Sequence, residues 1–130
     1  MIDPRIQALI GKPFAEYGRG PDFYDCWGLA MDVGAILGHK IPDYGSLSYS
    51  DPEMIQKQFR ANICDFDALG NPQTGALILF KRVDGGLHFG VVIDGQHFVH
   101  VRDDGLGVQI CSLNHPLYRQ LVKGYYRLSL

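Results

Sequence analysis

The sequence predicts an α+β fold in which helices come first and an antiparallel meander second. Two observations carry this. Apolar residues in the first half recur at helical spacing, and after Gly75 the period changes to two. Short connections then punctuate the second half, at Asp84-Gly85-Gly86, Asp94-Gly95 and Asp104-Gly105. Helices grouped apart from strands mark α+β order. With 130 residues and 46% hydrophobic composition, one domain over 1–130 with a sizeable core is expected.

The first helix is short. Asp3 caps it, Pro4 suits its first position, Ile6, Leu9 and Ile10 form its apolar face, and Gly11 follows its end. A glycine-rich loop, Lys12 to Tyr24, leads to the best-defined element. There Asp25 is the N-cap, the helix runs from Cys26 to about Leu37, and Gly38 ends it. Cys26, Leu29, Ala30, Val33 and Leu37 share one face. A third helix starts near Ser50–Pro52, with Ser50 and Glu53 at capping-box spacing and Asp51 an equally good cap. Its apolar face is Met54, Ile55, Phe59 and Ile63. The expected strands are Ala76–Lys81, Leu87–Ile93, His97–Val101, Val108–Ser112 and Lys123–Leu128.

Twelve basic against fourteen acidic residues give a net charge of −2. No polybasic footprint points to nucleic acid or an anionic membrane. No apolar run approaches the roughly 20 residues that span a bilayer. Met1 to Arg5 lacks the basic start and apolar stretch of a signal peptide, so cytoplasmic synthesis without one is expected. The three cysteines, Cys26, Cys64 and Cys111, are odd in number and form no CxxC pair. Reduced thiols are expected, with Cys64 and Cys111 in the core.

Cys26, His88 and His100 stand out together. A thiol in the first turn of a helix feels the positive end of the helix dipole and unpaired N–H groups, which lower its pKa toward neutrality. A cysteine nucleophile also needs a histidine to shuttle its proton and a third polar group to orient that histidine. The backbone N–H of Cys26 is placed to help bind an oxyanion. Cys26 equally fits the description of a small core hydrophobe, and each histidine that of a satisfied strand residue. The same three residues would also make an open zinc site.

Hairpin geometry sharpens the question. A two-residue turn at Asp94-Gly95 would set His88 opposite Val101 and send the two imidazoles to opposite faces. A three-residue loop Ile93–Gly95, with Gly95 left-handed, sets His88 directly opposite His100. A loop shifted to Asp94–Gln96 keeps them on one face, diagonally. The catalytic reading therefore predicts an odd-length loop with a glycine bulge.

These residues also carry a family resemblance. Asp25-Cys26-Trp27-Gly28-Leu29 resembles the Asp-Cys-x-Gly-Leu signature of the NlpC family of papain-like murein endopeptidases. Leu9 to Phe14, Gly75 to Phe80, His88 to Val92, Phe98 to His100 and Asn114 to Arg119 resemble further family segments, in order. The form Gly18-Arg19-Gly20-Pro21-Asp22 is most similar to phage tail-associated and prophage members. The resemblance implies a papain-like fold, with the nucleophile helix packed on a five- to six-stranded antiparallel sheet. It implies Cys26 as nucleophile, His88 as general base and His100 as the third polar residue. Asp25, with Trp27 and Tyr17, is assigned to the substrate site; Trp27 fits a cleft wall and a core plug equally. The implied reaction is metal-free and cofactor-free hydrolysis of the amide between D-glutamate and a diamino acid in peptidoglycan stem peptides. Arg19, Arg82 and Arg102 are candidates for pairing with stem-peptide carboxylates. Ala76 replaces a usual Asp, and Phe14 stands where many members carry a tyrosine, so Tyr17 or Tyr24 would have to supply that hydroxyl. The alternative functions are a phage tail assembly module with little hydrolase activity, and a related acyltransferase or amidase. Phage tail proteins are the implied partners, and a phage or phage-like tail the implied location.

Overall fold

The computed structural model describes residues 2–43, 52–82 and 86–128. Helix α1 spans Pro4–Gln7, with the Asp3 carboxylate accepting the Arg5 N–H at 2.8 Å. Because the helix ends there, its expected apolar face is cut short: Ile6 is buried, Leu9 half-buried and Ile10 exposed. Gly11, at φ +89°, turns the chain, and its N–H donates to the Val108 carbonyl at 2.9 Å. Helix α2 spans Cys26–Ile36, capped by Asp25 as expected, with Leu37 as C-cap and Gly38 following at φ +84°. Helix α3 spans Pro52–Asn62 and runs into a 3-10 turn, Ile63–Asp65. Phe59 packs on the core. The expected caps Ser50 and Asp51, the Asp84-Gly85 turn, and the side chains of Met54 and Ile55 lie outside the described residues.

The strands are β1 (Phe66–Leu69), β2 (Leu77–Lys81), β3 (Leu87–Val92), β4 (His97–Arg102), β5 (Gly107–Ser112) and β6 (Val122–Leu128). They form one antiparallel six-stranded sheet in the order β1-β6-β2-β3-β4-β5. The five expected strands hold to within a residue or so. Strand β1 and a helix α4, Pro116–Leu121, are additions. Strand β1 gains its ladder from β6, pairing Phe66 with Leu128 and Leu69 with Tyr125. Helix α4 is started by Pro116 at its first position and by Nδ1 of His115, which accepts the Leu117 N–H at 3.2 Å.

The sheet buries both faces. Leu29, Ala30 and Val33 of α2 cover Leu77, Leu79, Phe89, Val91, Val99 and Val101. On the other face Ile78, Phe80, Val92 and Phe98 lie under Tyr118 and Leu121 of α4. Each such aliphatic or aromatic burial contributes about 1.5–3 kcal/mol. Among the described residues no helix is long and apolar enough to cross a membrane.

Candidate active site

The glycine-rich loop fixes the start of α2. The Asp25 carboxylate, 1% exposed, accepts the Gly28 N–H at 2.6 Å and the Arg19 Nη1 donor at 2.7 and 2.8 Å. Arg19 also reaches Asp43, at 3.2 and 3.3 Å. Gly28 is required because the loop lies directly on the helix: a Cβ there would sit 2.1 Å from the Gly18 carbonyl oxygen. The aspartate and glycine of the Asp-Cys-x-Gly signature thus set the helix terminus. Asp25, assigned to the substrate site from sequence, is instead buried in the cap and ion pair, which leaves it no open face.

The β3–β4 hairpin has the odd-length loop that places both imidazoles on one face. The Ile93 N–H donates to the His97 carbonyl at 3.0 Å, and the ladder pairs Val91 with Val99 and Val92 with Phe98. This is the shifted register, with loop Asp94–Gln96 and the histidines diagonal. The expected glycine bulge is absent, because Gly95 does not adopt a left-handed φ. Asp94 does the turning instead: its Oδ1 accepts the Gln96 N–H at 2.7 Å and lies 2.9 Å from Nδ1 of His97.

Beyond Val91 and Val99 the β3–β4 ladder opens. Continued in register, the Phe89 N–H would face the Val101 carbonyl. Phe89 shares the α2-facing core with Cys26, and its N–H favours the Cys26 thiolate. Gly90, on the His88 face, keeps the histidine side tight, since a Cβ there would lie 2.7 Å from the Val99 carbonyl oxygen and 3.3 Å from the His100 Cβ.

His88 and His100 form a direct pair, with Nε2 of His88 2.8 Å from Nδ1 of His100. Both are buried, among the rings of Phe80, Phe98 and Tyr118. Alternation puts His88 on the face of its ladder partner Phe80, whereas its neighbour Phe89 faces α2. Burial holds His88 well below the usual histidine range, aided by His100 and Arg82. Burial lowers His100 to about 4, with Arg102 acting in the same sense and Asp104 opposing. The pair is thus held neutral. It borders a cleft of about 210 Å³ whose lining includes Phe80, Arg82, His88, His100, Arg102 and Tyr118.

The expected lowering of the Cys26 pKa is reversed. Burial pushes the thiol up to about 12 and the Asp25 charge adds to it, while the N–H groups of Phe89, Trp27 and Cys26 itself lean the other way. Desolvation of a 1% exposed sulfur outweighs the helix terminus. The resting groups are a neutral thiol and neutral imidazoles.

Trp27 resolves to the core: it is 4% exposed, its Nε1 donates to the Pro42 carbonyl at 2.9 Å, and its ring stands edge-on to Phe89 at 5.2 Å. Tyr17 is half-exposed in the loop at φ 64°. Tyr24 is buried with its hydroxyl on Asp32 at 2.7 Å, so it offers no replacement for the hydroxyl missing at Phe14. Of the three arginines, Arg19 serves Asp25 and Asp43, while Arg82 and Arg102 border the cleft beside Asp103 and Asp104. A zinc site would need the two imidazoles to turn nitrogens toward one ion, but those nitrogens face each other. Among the described residues no three His, Cys, Asp or Glu side chains converge as a metal site.

Sequence reasoning missed Cys111 and Tyr118. Cys111, expected in the core, is half-buried with its Sγ 3.3 Å from Nε2 of His100, and the Tyr118 ring stands edge-on to His100 at 5.2 Å. The signal was available: the Asp104-Gly105 hairpin pairs Phe98 with Cys111 and His100 with Gln109, which sets Cys111 diagonal to His100 on one face.

The comparisons with known proteins agree with this fold. At 24% identity over 119 residues the chain is similar to a probable endopeptidase p60 from Listeria grayi, covering 92% of this chain and 20% of that protein. It superposes on NlpC2 from Trichomonas vaginalis with a TM-score of 0.65 at 17% identity, covering 96% of this chain and 45% of that one. It superposes on a lipoprotein-like NLP/P60 family protein from Staphylococcus aureus with a TM-score of 0.62 at 21% identity, covering 98% and 40%. The chain thus spans a fifth of the curated relative and under half of each solved chain. The NlpC/P60 family model itself matches residues 11–127, nearly the whole length over which the signature segments and the sheet are laid out, and the chain belongs to the NlpC/P60 family.

Proposed function

We propose that the protein is a cysteine peptidase of bacterial cell-wall stem peptides, cleaving the amide between D-glutamate and a diamino acid. The observation that carries the reading is the direct His88–His100 pair, on strands of the sheet against which Cys26 begins helix α2. In this reading an imidazole nitrogen of His88 acts as base while His100 holds its ring. The Cys26 proton passes to that nitrogen as the sulfur attacks the amide carbonyl. The Cys26 N–H at the helix start stabilises the developing oxyanion. The imidazolium then protonates the leaving amine, and a thioester remains. Water, deprotonated by His88, attacks the thioester and releases the acid and the free thiol. A neutral resting pair suits this cycle, because the charge separation arises only as the bond forms. Arg82 and Arg102 line the cleft paired with Asp103 and Asp104, pairs that a stem-peptide carboxylate would have to exchange.

The test is purified protein with defined muropeptides, read by mass spectrometry. Cleavage at the D-glutamyl–diamino acid bond is expected, with at least a 10³-fold loss in Cys26→Ala. Turnover retained in that variant overturns the mechanism. Cleavage at another bond overturns the substrate assignment. A folded wild type that cleaves nothing and co-purifies with tail proteins would favour the assembly module that the Gly18 to Asp22 segment suggests.

A further inference from the structure

The start of α2 sets a buried charge directly beside its cysteine. Asp25 immediately precedes Cys26, and its carboxylate is 1% exposed. The cap itself does not require a charge, since asparagine and serine rank with aspartate as N-caps. For a thiol that must give up its proton the charge is a handicap: after burial, the Asp25 carboxylate is the next largest influence that holds Cys26 up. Arg19 answers that carboxylate. Its Nη1 donates to both Asp25 oxygens, at 2.7 and 2.8 Å, and to the Gly18 carbonyl at 3.2 Å. Its Nε and Nη2 donate to Asp43, at 3.2 and 3.3 Å. The guanidinium thus ties the glycine-rich loop to the helix start and to the segment after α2, and carboxylates of this chain occupy the fork that the sequence offers to a substrate.

A negative charge that forms on sulfur beside a carboxylate is repelled by it, and a low local dielectric magnifies the repulsion. A cation fixed at hydrogen-bond distance from the carboxylate reduces that field at the sulfur, because the two together act as a dipole and not as a net charge. We propose that Arg19 is a positioning residue of the site: clamped on Asp25, it neutralises the carboxylate beside Cys26 and lets the sulfur carry the negative charge that attack requires. Arg19 then acts on Cys26 through Asp25 and not on the substrate. The inference rests on the peptidase reading for Cys26 as nucleophile, but its effect on the thiol is measurable without any substrate. Among the described residues, the charged groups at this end of α2 are Asp25, Arg19 on the loop and Asp43 on the segment after the helix. On the sheet side, Cys26 lies in the apolar core with Leu29 and Phe89.

The experiment compares wild type with Arg19→Gln, Arg19→Lys and the double variant Arg19→Gln/Asp25→Asn. One readout is the rate at which iodoacetamide alkylates Cys26 at fixed, mildly alkaline pH, located by peptide mass mapping. The other is kcat and KM on a muropeptide that the wild type cleaves. Glutamine keeps a donor and removes the charge, so alkylation and kcat are each expected to fall about tenfold, the equivalent of about one pKa unit on the thiol, at little change in KM. Lysine keeps the charge and is expected to stay within about threefold of wild type. In the double variant asparagine still caps the helix but the carboxylate is gone, and both readouts are expected to return to within about threefold of wild type. The sign separates this from a loosened helix start, which exposes Cys26 and speeds alkylation. Arg19→Gln alkylated as fast as wild type or faster overturns the inference, and so does a double variant no better than the single one. A raised KM at unchanged kcat also overturns it, because Arg19 would then be binding substrate. If Arg19→Gln does not fold, Asp25→Asn decides by itself: Cys26 is expected to alkylate at least about threefold faster than in wild type, and an equal or slower rate overturns the inference. Absence of muropeptide cleavage by wild type would remove the peptidase reading and leave the order of alkylation rates to decide the inference.

Discussion

At the scale of single residues, the site is governed by what is buried. Asp25 is a carboxylate at 1% exposure, paired with Arg19 and the Gly28 N–H. Arg19→Ala leaves that charge in place with the cap hydrogen bond alone among its described contacts. Such one-sided removal of a buried partner is expected to cost about 2–4 kcal/mol, read by urea denaturation, with Arg19→Lys recovering part of it. A loss below about 1 kcal/mol would mean that the pair behaves as a surface ion pair. The placement of the candidate residues was legible in the sequence, since Cys26 follows a capping aspartate and the two histidines lie on consecutive strands. The state of the thiol was not legible. A helix terminus is visible in a sequence, whereas the depth of burial that outweighs it depends on the whole packing around Cys26. The same limit applies to Trp27, whose place in the core is decided by Phe66 and Phe89 from distant strands.

At the scale of elements, close approach decides which residues the chain tolerates. The glycine-rich loop and α2 touch backbone to backbone at Gly18 and Gly28. Gly28→Ala would put a methyl group 2.1 Å from a carbonyl oxygen that also accepts the Asp25 N–H and the Arg19 guanidinium. The helix and loop must part, so a loss of about 2–3 kcal/mol is expected, with a fall in any Cys26-dependent turnover. Unchanged unfolding in Gly28→Ala would show that the loop yields freely. Elements with their own local signals were the legible ones: α2 with its cap and C-terminal glycine, and the hairpin strands with their Asp-Gly turns. Strand β1 was not, because Phe66 to Leu69 carries little alternation and pairs with β6, far along the chain. Helix α4 was missed because six residues give too short a period to read beside strong strand signals. The hairpin loop length was legible, but its device was not: an aspartate side chain does what a left-handed glycine was expected to do.

At the scale of the whole molecule, the neutral histidine pair ties the proposed chemistry to stability. Both imidazoles sit between two layers of core and are held below the ordinary histidine range. In the unfolded chain each titrates near pH 6.5. Between that value and its folded pKa, the unfolded state therefore binds more protons than the folded one. The stability contributed by each neutral imidazole is complete above about pH 6.5 and is lost as pH falls. The loss runs at up to about 1.4 kcal/mol per pH unit for each group. For His100 the window closes near the folded value of about 4. The exposed carboxylates Asp3, Asp94 and Asp104 have lowered pKa values and add a separate loss at still lower pH, as they protonate. Urea unfolding from pH 7.5 to 4.5 is thus expected to show stability level at the top and falling through pH 6 to 5, before carboxylates contribute. His100→Gln, which cannot titrate, is expected to flatten that slope by about half while lowering the plateau. A slope unchanged in His100→Gln would mean that the imidazoles are charged or solvated in the folded protein. That outcome would also remove the neutral base on which the proposed attack by Cys26 depends. Acid sensitivity and the neutral base that the proposed mechanism needs would both follow from burying the same pair.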